Sequence, residues 1–169
     1  FGSYEVNSTA KILILGSGSF AGQALFQDLL DSGYYVVGIN RSKRKGNEFW
    51  EWQKGVENEI NWYQLNLFKE PDKFIDLINE ISPTHIVDFM GQGMVAQSWS
   101  DPRLWYSTNL SEKSFILESI RNLKTLEKYV RASTPEVYGS NHNYVNEGQA
   151  FKPSTPYAIS HAAIDYHIR

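Results

Sequence analysis

The stretch KILILGSGSFAGQALFQDLLDSGYYVVGIN, Lys11 to Asn40, decides the fold. Lys11 to Gly16 is a short, nearly continuous apolar run that ends in glycine, the pattern of a strand buried on both faces. In the stretch that follows, Leu25, Leu29 and Leu30 recur at helical spacing, and Gly33 supplies the stop. Tyr34 to Asn40 reads as a second strand. Strand, helix and strand at this spacing predict a parallel βαβ crossover.

The alternation continues outward from that unit. INWYQLNL (Ile60 to Leu67) reads as a third strand and THIVDFMG (Thr84 to Gly91) as a fourth. Between them EPDKFIDLINEIS is a helix with Pro71 near its start, where the missing N–H costs nothing. DPRLWYSTNLSEKSFILESIRNL (101–123) predicts one long helix, with Asp101 as N-cap and Pro102 at its first position. LEKYVRAST is a fifth strand. A last helix over 155–169 follows, with Thr155 as N-cap and Pro156 first. The expected architecture is a doubly wound parallel α/β sheet with KILILG central and helices on both faces. Residues 1–10 read as a flexible leader, residues 11–169 as one domain, and RSKRKGNEFWEWQKG (41–55) as a polar excursion. The last helix runs to Arg169 without glycine, proline or polar stop, so the domain is expected to be a fragment of a longer protein.

Composition narrows the function classes. A chain of 169 residues is long enough for one domain with a real core. A net charge of −3 argues against nucleic acid as the main partner. No apolar run is long enough to span a membrane. With no cysteine, neither a disulfide framework nor a thiolate metal site is possible, which fits a reducing cytoplasm. His85, His142 and His167 show no metal-ligand spacing, so no metal is expected.

GSGSFAG (Gly16 to Gly22) joins the first strand to the first helix. Gly16 permits the tight turn, Gly18 lets backbone approach a pyrophosphate, and Gly22 lets helix and strand pack closely. Ser19, Phe20 and Ala21 then stand at the helix start, where free N–H groups would meet the phosphates. Glycines alone often mark plain turns. Here the strand before and the helix after supply the context of a dinucleotide site. At the tip of the second strand stand Asn40, Arg41, Ser42, Lys43 and Arg44, with no acid for a ribose 2′-OH. Arg41 could meet a 2′-phosphate bidentately, which favours NADP over NAD. The plainer reading is a solvated basic loop.

With STPEVYG (Ser133 to Gly139) and PYAISH (Pro156 to His161) added, the chain resembles the extended short-chain dehydrogenase/reductase family, in particular its nucleotide-sugar epimerases and 4,6-dehydratases. The resemblance runs from Lys11 to Arg169 and implies a Rossmann-type fold. GSGSFAG is similar to the family's G-x-x-G-x-x-G, with Ser19 in place of the middle glycine. Asn66 and Leu67 match an Asp-Leu pair that meets the adenine. Met90, Gly91 and Gln92 match an Ala-Ala-Gln stretch after the fourth strand, and Asn109 matches an asparagine of the long helix. Members carry a further sugar-binding region after the Tyr-x-x-x-Lys helix. They also form a dimer bundle through the helices at 101–123 and 155–169, which implies a homodimer.

By the same resemblance, Tyr157 is the acid/base that takes the proton of a sugar C4 hydroxyl while hydride leaves for the nicotinamide. Thr134 is the hydroxyl partner, and Glu136 matches the dehydratase base that removes the C5 proton. Pro135 stands where many dehydratases have an aspartic acid. His161 occupies the place of the lysine that favours tyrosinate and holds the nicotinamide ribose. Four-residue helical spacing puts Tyr157 and His161 on one face. Imidazole, with a pKa of about 6.5, carries charge on only roughly a quarter of molecules at pH 7. Taken singly, Tyr157 reads as a packing residue, Thr134 as a backbone cap and Glu136 as a solvated acid. The implied activities are a nucleotide-sugar 4,6-dehydratase, a C4 epimerase or reductase, or an NADP-binding relative without turnover.

Overall fold

The computed structural model describes residues 9–43, 61–141, 143–148 and 150–169. Residues 1–8 of the expected leader, residues 44–55 of the polar excursion with Arg44 among them, Ile60 and His142 lie outside the described residues, while Ala10, inside the expected leader, is buried. Five strands form one sheet: β1 (Lys11–Leu15), β2 (Tyr35–Asn40), β3 (Asn61–Gln64), β4 (His85–Asp88) and β5 (Lys128–Arg131). Their order is β3-β2-β1-β4-β5, and every pairing is parallel. The apolar run of β1 suits the central place, since four of its five residues are buried. Ile12 and Ile14 pack with Phe26 of α1 (Phe20–Asp31) and Val36 of β2, and Leu13 and Leu15 are buried as well. Successive strand residues face opposite ways, so both faces of β1 are covered.

The chain divides into two compact units. One takes in residues up to Met90 together with Leu123–Arg131, and so holds the whole sheet, α1 and α2 (Pro71–Ile81). In α2 Pro71 sits at the start and Phe74, Leu77, Ile78 and Ile81 form the buried stripe. The Glu70 carboxylate before it has a lowered pKa, chiefly through its hydrogen bond with Lys73 at 2.6 Å.

The second unit takes in Gly91–Asn122 and Ala132–Arg169. The helix expected over 101–123 is three pieces here: α3 (Pro102–Tyr106), a π-helical turn over Ser107–Ser111, and α4 (Glu112–Ile120). Pro102 does open α3. The Asp101 carboxylate does not cap it, and instead accepts from Arg103 Nε at 3.1 Å. Two 3₁₀ turns, Ala96–Trp99 and Pro135–Tyr138, fall where no regular element was expected. The last helix, α5 (Pro156–Ile168), starts as the sequence predicts, with Thr155 Oγ1 accepting from Ala158 N at 3.1 Å. Among the described residues no helix is long and apolar enough to cross a membrane.

Candidate functional site

In the first unit the glycine turn is shaped by what its missing side chains leave room for. Gly16 has φ +74, and a Cβ there would come within 2.8 Å of Met90 N beyond β4. Gly18 faces the tip of β2, where a Cβ would meet Asn40 Nδ2 at 2.5 Å. A Cβ on Gly22 would collide with the Gly16 carbonyl, so α1 can approach the turn only as glycine. Ser19 is the N-cap: its Oγ accepts from Gly22 N at 3.0 Å, and its N–H donates to Gly16 O at 2.9 Å. The amides of Phe20 and Ala21 belong to the first helical turn, whose N–H groups have no intrahelical acceptor. The Phe20 side chain is 95% exposed, so it shields nothing there. An anion would be favoured at such a helix start. The residues present therefore fit a dinucleotide phosphate.

The other residues expected to meet the cofactor from the first unit make contacts of their own. Asn40 Nδ2 donates to Ser42 O at 3.1 Å, which curls the tip of β2, and Arg41, Ser42 and Lys43 are exposed beyond it. Asn66 Oδ1 accepts from the amides of Phe68 and Lys69 at 3.2 and 3.3 Å, while Leu67 is buried. Met90 N donates to Asp88 Oδ1 at 2.8 Å, and Tyr129 Oη donates to Asp88 Oδ2 at 2.7 Å. Asp88, fully buried at the end of β4, thus orders the turn that leads to Met90. Nothing in its local pattern singled it out.

In the second unit the π-helical turn carries Asn109, which is 0% exposed. Its Oδ1 accepts from Gln92 N at 2.6 Å, and its Nδ2 donates to Gln92 O at 3.1 Å and to Ser160 Oγ at 3.0 Å. Ser160 Oγ donates in turn to the Tyr157 carbonyl at 2.7 Å. The asparagine is a bracket between the Gly91–Gln92 segment and α5, and both of its amide hydrogens are committed to protein. A π turn, which adds a residue to a helix, is a frequent device for aiming such a side chain. Lys113, one turn further along in α4, is 1% exposed and engaged in interactions of its own.

Tyr157 and His161 meet as their spacing requires. Their ring centroids are 4.6 Å apart with planes tilted by 53°. Tyr157 is half-buried, and His161 is 6% exposed. Thr134 caps the 3₁₀ turn Pro135–Tyr138, its Oγ1 accepting from Glu136 N at 3.3 Å. That turn, with half-buried Glu136 in it, packs against α5. Ser133 Oγ also donates to Asp165 Oδ2 of α5. Ser133, Ser160 and Asp165 were not anticipated. Their signal is positional, since Ser160 and Asp165 lie three and eight residues after Tyr157. Among the described residues no group of three or more His, Asp or Glu side chains could hold a metal ion.

Residues 13–169 match the family model described as GDP-mannose 4,6 dehydratase. The chain is 34% identical, over 93% of its length, to a Schizosaccharomyces pombe protein described as uncharacterized. It is 28% identical, over 89% of its length, to a GDP-mannose 4,6-dehydratase of Yersinia enterocolitica. It covers 48% and 42% of those two proteins, so it spans about half the length of the curated relatives it matches. Among solved structures, it superposes on the UDP-glucose 4-epimerase of Thermus thermophilus, determined in complex with NAD, with a TM-score of 0.78 and 26% identity. That match covers 94% of this chain and 49% of the other. Fold, motif order and a family match over nearly the whole chain agree: this chain belongs to the GDP-mannose 4,6-dehydratase family, among the NAD-dependent nucleotide-sugar epimerases and dehydratases.

Proposed function

We propose that this chain supplies the cofactor-binding and acid/base residues of a nucleotide-sugar 4,6-dehydratase. The observation that carries the reading is α5, where Tyr157 and His161 stack on one face and the Thr134–Glu136 turn packs alongside. A dinucleotide held at Gly16, Gly18 and the start of α1 would supply the acceptor for the sugar's C4 hydride and its return to C6. Tyr157 Oη takes the proton of the C4 hydroxyl as C4 becomes a ketone, and Thr134 Oγ1 bonds the same oxygen. The C5 proton is then acidic, and the Glu136 carboxylate removes it and passes it to the C6 hydroxyl, which leaves as water. A tyrosine with pKa near 10 needs help to act as a base at neutral pH. His161, when protonated, supplies part of that help by favouring tyrosinate.

On the cofactor side, Gly16, Gly18 and the amides of Phe20 and Ala21 take the pyrophosphate. Arg41 and Ser42, exposed beyond Asn40, suit a 2′-phosphate, so NADP is the proposed cofactor. Arg44, also in that basic run, lies outside the described residues. A homodimer through the helical segments 101–123 and 155–169 is supported by Leu104, Ile159, Tyr166 and Ile168, large apolar side chains exposed on α3 and α5.

Pro135 favours a second reading, C4 epimerisation, because it cannot donate the proton that an acid before Glu136 would supply to the leaving hydroxyl. The experiment is incubation of the full-length protein with NADP or NAD and a panel of GDP-, UDP- and dTDP-linked hexoses, followed by product analysis. A 4-keto-6-deoxy sugar is the expected product. A C4 epimer supports the second reading, and binding without product supports a non-catalytic relative.

A further inference from the structure

The Ser133–Asp165 hydrogen bond joins two stretches that chain topology alone leaves independent. Asp165 follows His161 by one helical turn and Tyr157 by two, so the three line one side of α5. Ser133 immediately precedes Thr134. Beyond the 3₁₀ turn a second tie exists: Lys152 N donates to Val137 O at 2.8 Å, Tyr138 packs edge-on to Phe151 at 5.4 Å, and Phe151 lies 5.0 Å from Tyr166 of α5. The turn that carries Thr134 and Glu136 is thus held to α5 on both sides, by a polar bond before it and by edge-on and tilted ring contacts after it. Aspartate is a poor helix former, and its half-buried carboxylate gains from such an acceptor role.

We propose that Asp165 is a positioning residue for catalysis: through Ser133 it fixes the start of the Thr134–Glu136 turn against the helix of Tyr157. The inference rests on the catalytic reading above. Acid/base groups lose rate steeply when displaced by even an ångström, whereas substrate affinity depends on other contacts. Asp165 has further contacts of its own, so Ser133→Ala isolates the bond and Asp165→Ala removes more than the bond. Asp165→Asn keeps an oxygen that can accept from Ser133.

The test compares the full-length parent with Ser133→Ala, Asp165→Ala, Asp165→Asn and the Ser133→Ala/Asp165→Ala pair, reading kcat, KM and amide hydrogen exchange over Thr134–Tyr138. Ser133→Ala should lower kcat roughly tenfold with KM nearly unchanged. Asp165→Asn should keep most of the parent rate. The double variant should be no slower than Asp165→Ala, because one bond cannot be lost twice. Exchange over the turn should quicken wherever the bond is lost. Unchanged kcat in Ser133→Ala, multiplicative losses in the pair, or an Asp165→Asn variant as slow as Asp165→Ala would each overturn the proposal. A parent without turnover overturns the catalytic reading instead. Exchange then decides the clasp by itself, faster exchange supporting it and unchanged exchange ending it.

Discussion

His161 concentrates the chemistry at the scale of a single residue. It is buried, and its ring lies against Tyr157. A lysine at this place would hold its charge across the whole physiological range, whereas imidazole loses it as pH rises through about 6.5. His161→Lys restores a permanent charge and the longer stem, and should raise turnover near neutral pH and flatten its dependence on pH. A pH–rate profile of the full-length protein and this variant, with a nucleotide sugar it turns over, measures both. A parent faster than the lysine variant at every pH would falsify the stand-in role. It would give the histidine work of its own beside Tyr157.

At the scale of elements, the π-helical turn Ser107–Ser111 orders the second unit. Asn109→Leu, close in shape, would strip a partner from Ser160 Oγ in a buried place and from Gln92 N–H and C=O in a half-buried one. Leaving such groups unpaired costs about 1–3 kcal/mol each before relaxation, so a loss of about 2–4 kcal/mol is expected in denaturant unfolding. A loss under about 0.5 kcal/mol, the level of an ordinary surface change, would mean that water replaces the amide and that Asn109 is no bracket. The same turn shows where sequence reading stops. Pro71, Pro102, Thr155 and Pro156 mark helix starts through local chemistry, and each opens its helix as expected. The five parallel strands were legible from the alternation of strand and helix patterns, although β3 and β5 are shorter than the expected stretches and none of their residues is fully buried. The π turn has no glycine or proline to announce it, since tertiary bonds of Asn109 hold it. The order of the site motifs was likewise legible, and Tyr157 against His161 followed from helical spacing. The Ser133–Asp165 and Asn109–Ser160 pairs were not, because each joins residues far apart in the chain.

At the scale of the whole molecule, the dinucleotide choice should appear as stability. A ligand that binds only the folded chain stabilises it by about 2.7 kcal/mol at a hundred times its Kd. For a chain of this size each kcal/mol moves Tm by about 2–4 °C, so saturating cofactor should raise Tm by about 5 °C or more. The glycine turn leads directly out of β1, the central strand of the sheet, so a phosphate bound there would be coupled to a strand with four of five residues buried. The basic tip follows β2, the strand paired with β1. Arg41 has no acid beside it in the sequence and is exposed, which leaves its guanidinium available for a phosphomonoester. NADP should therefore raise Tm more than NAD at equal concentration. Arg41→Ala should erase the difference by lowering the NADP shift while leaving the NAD shift nearly intact, because only NADP carries the extra dianion. Equal shifts for the two cofactors in the parent, or equal losses for both in Arg41→Ala, would return Arg41–Lys43 to the status of a solvated loop and give the adenosine ribose to neutral contacts such as Asn40.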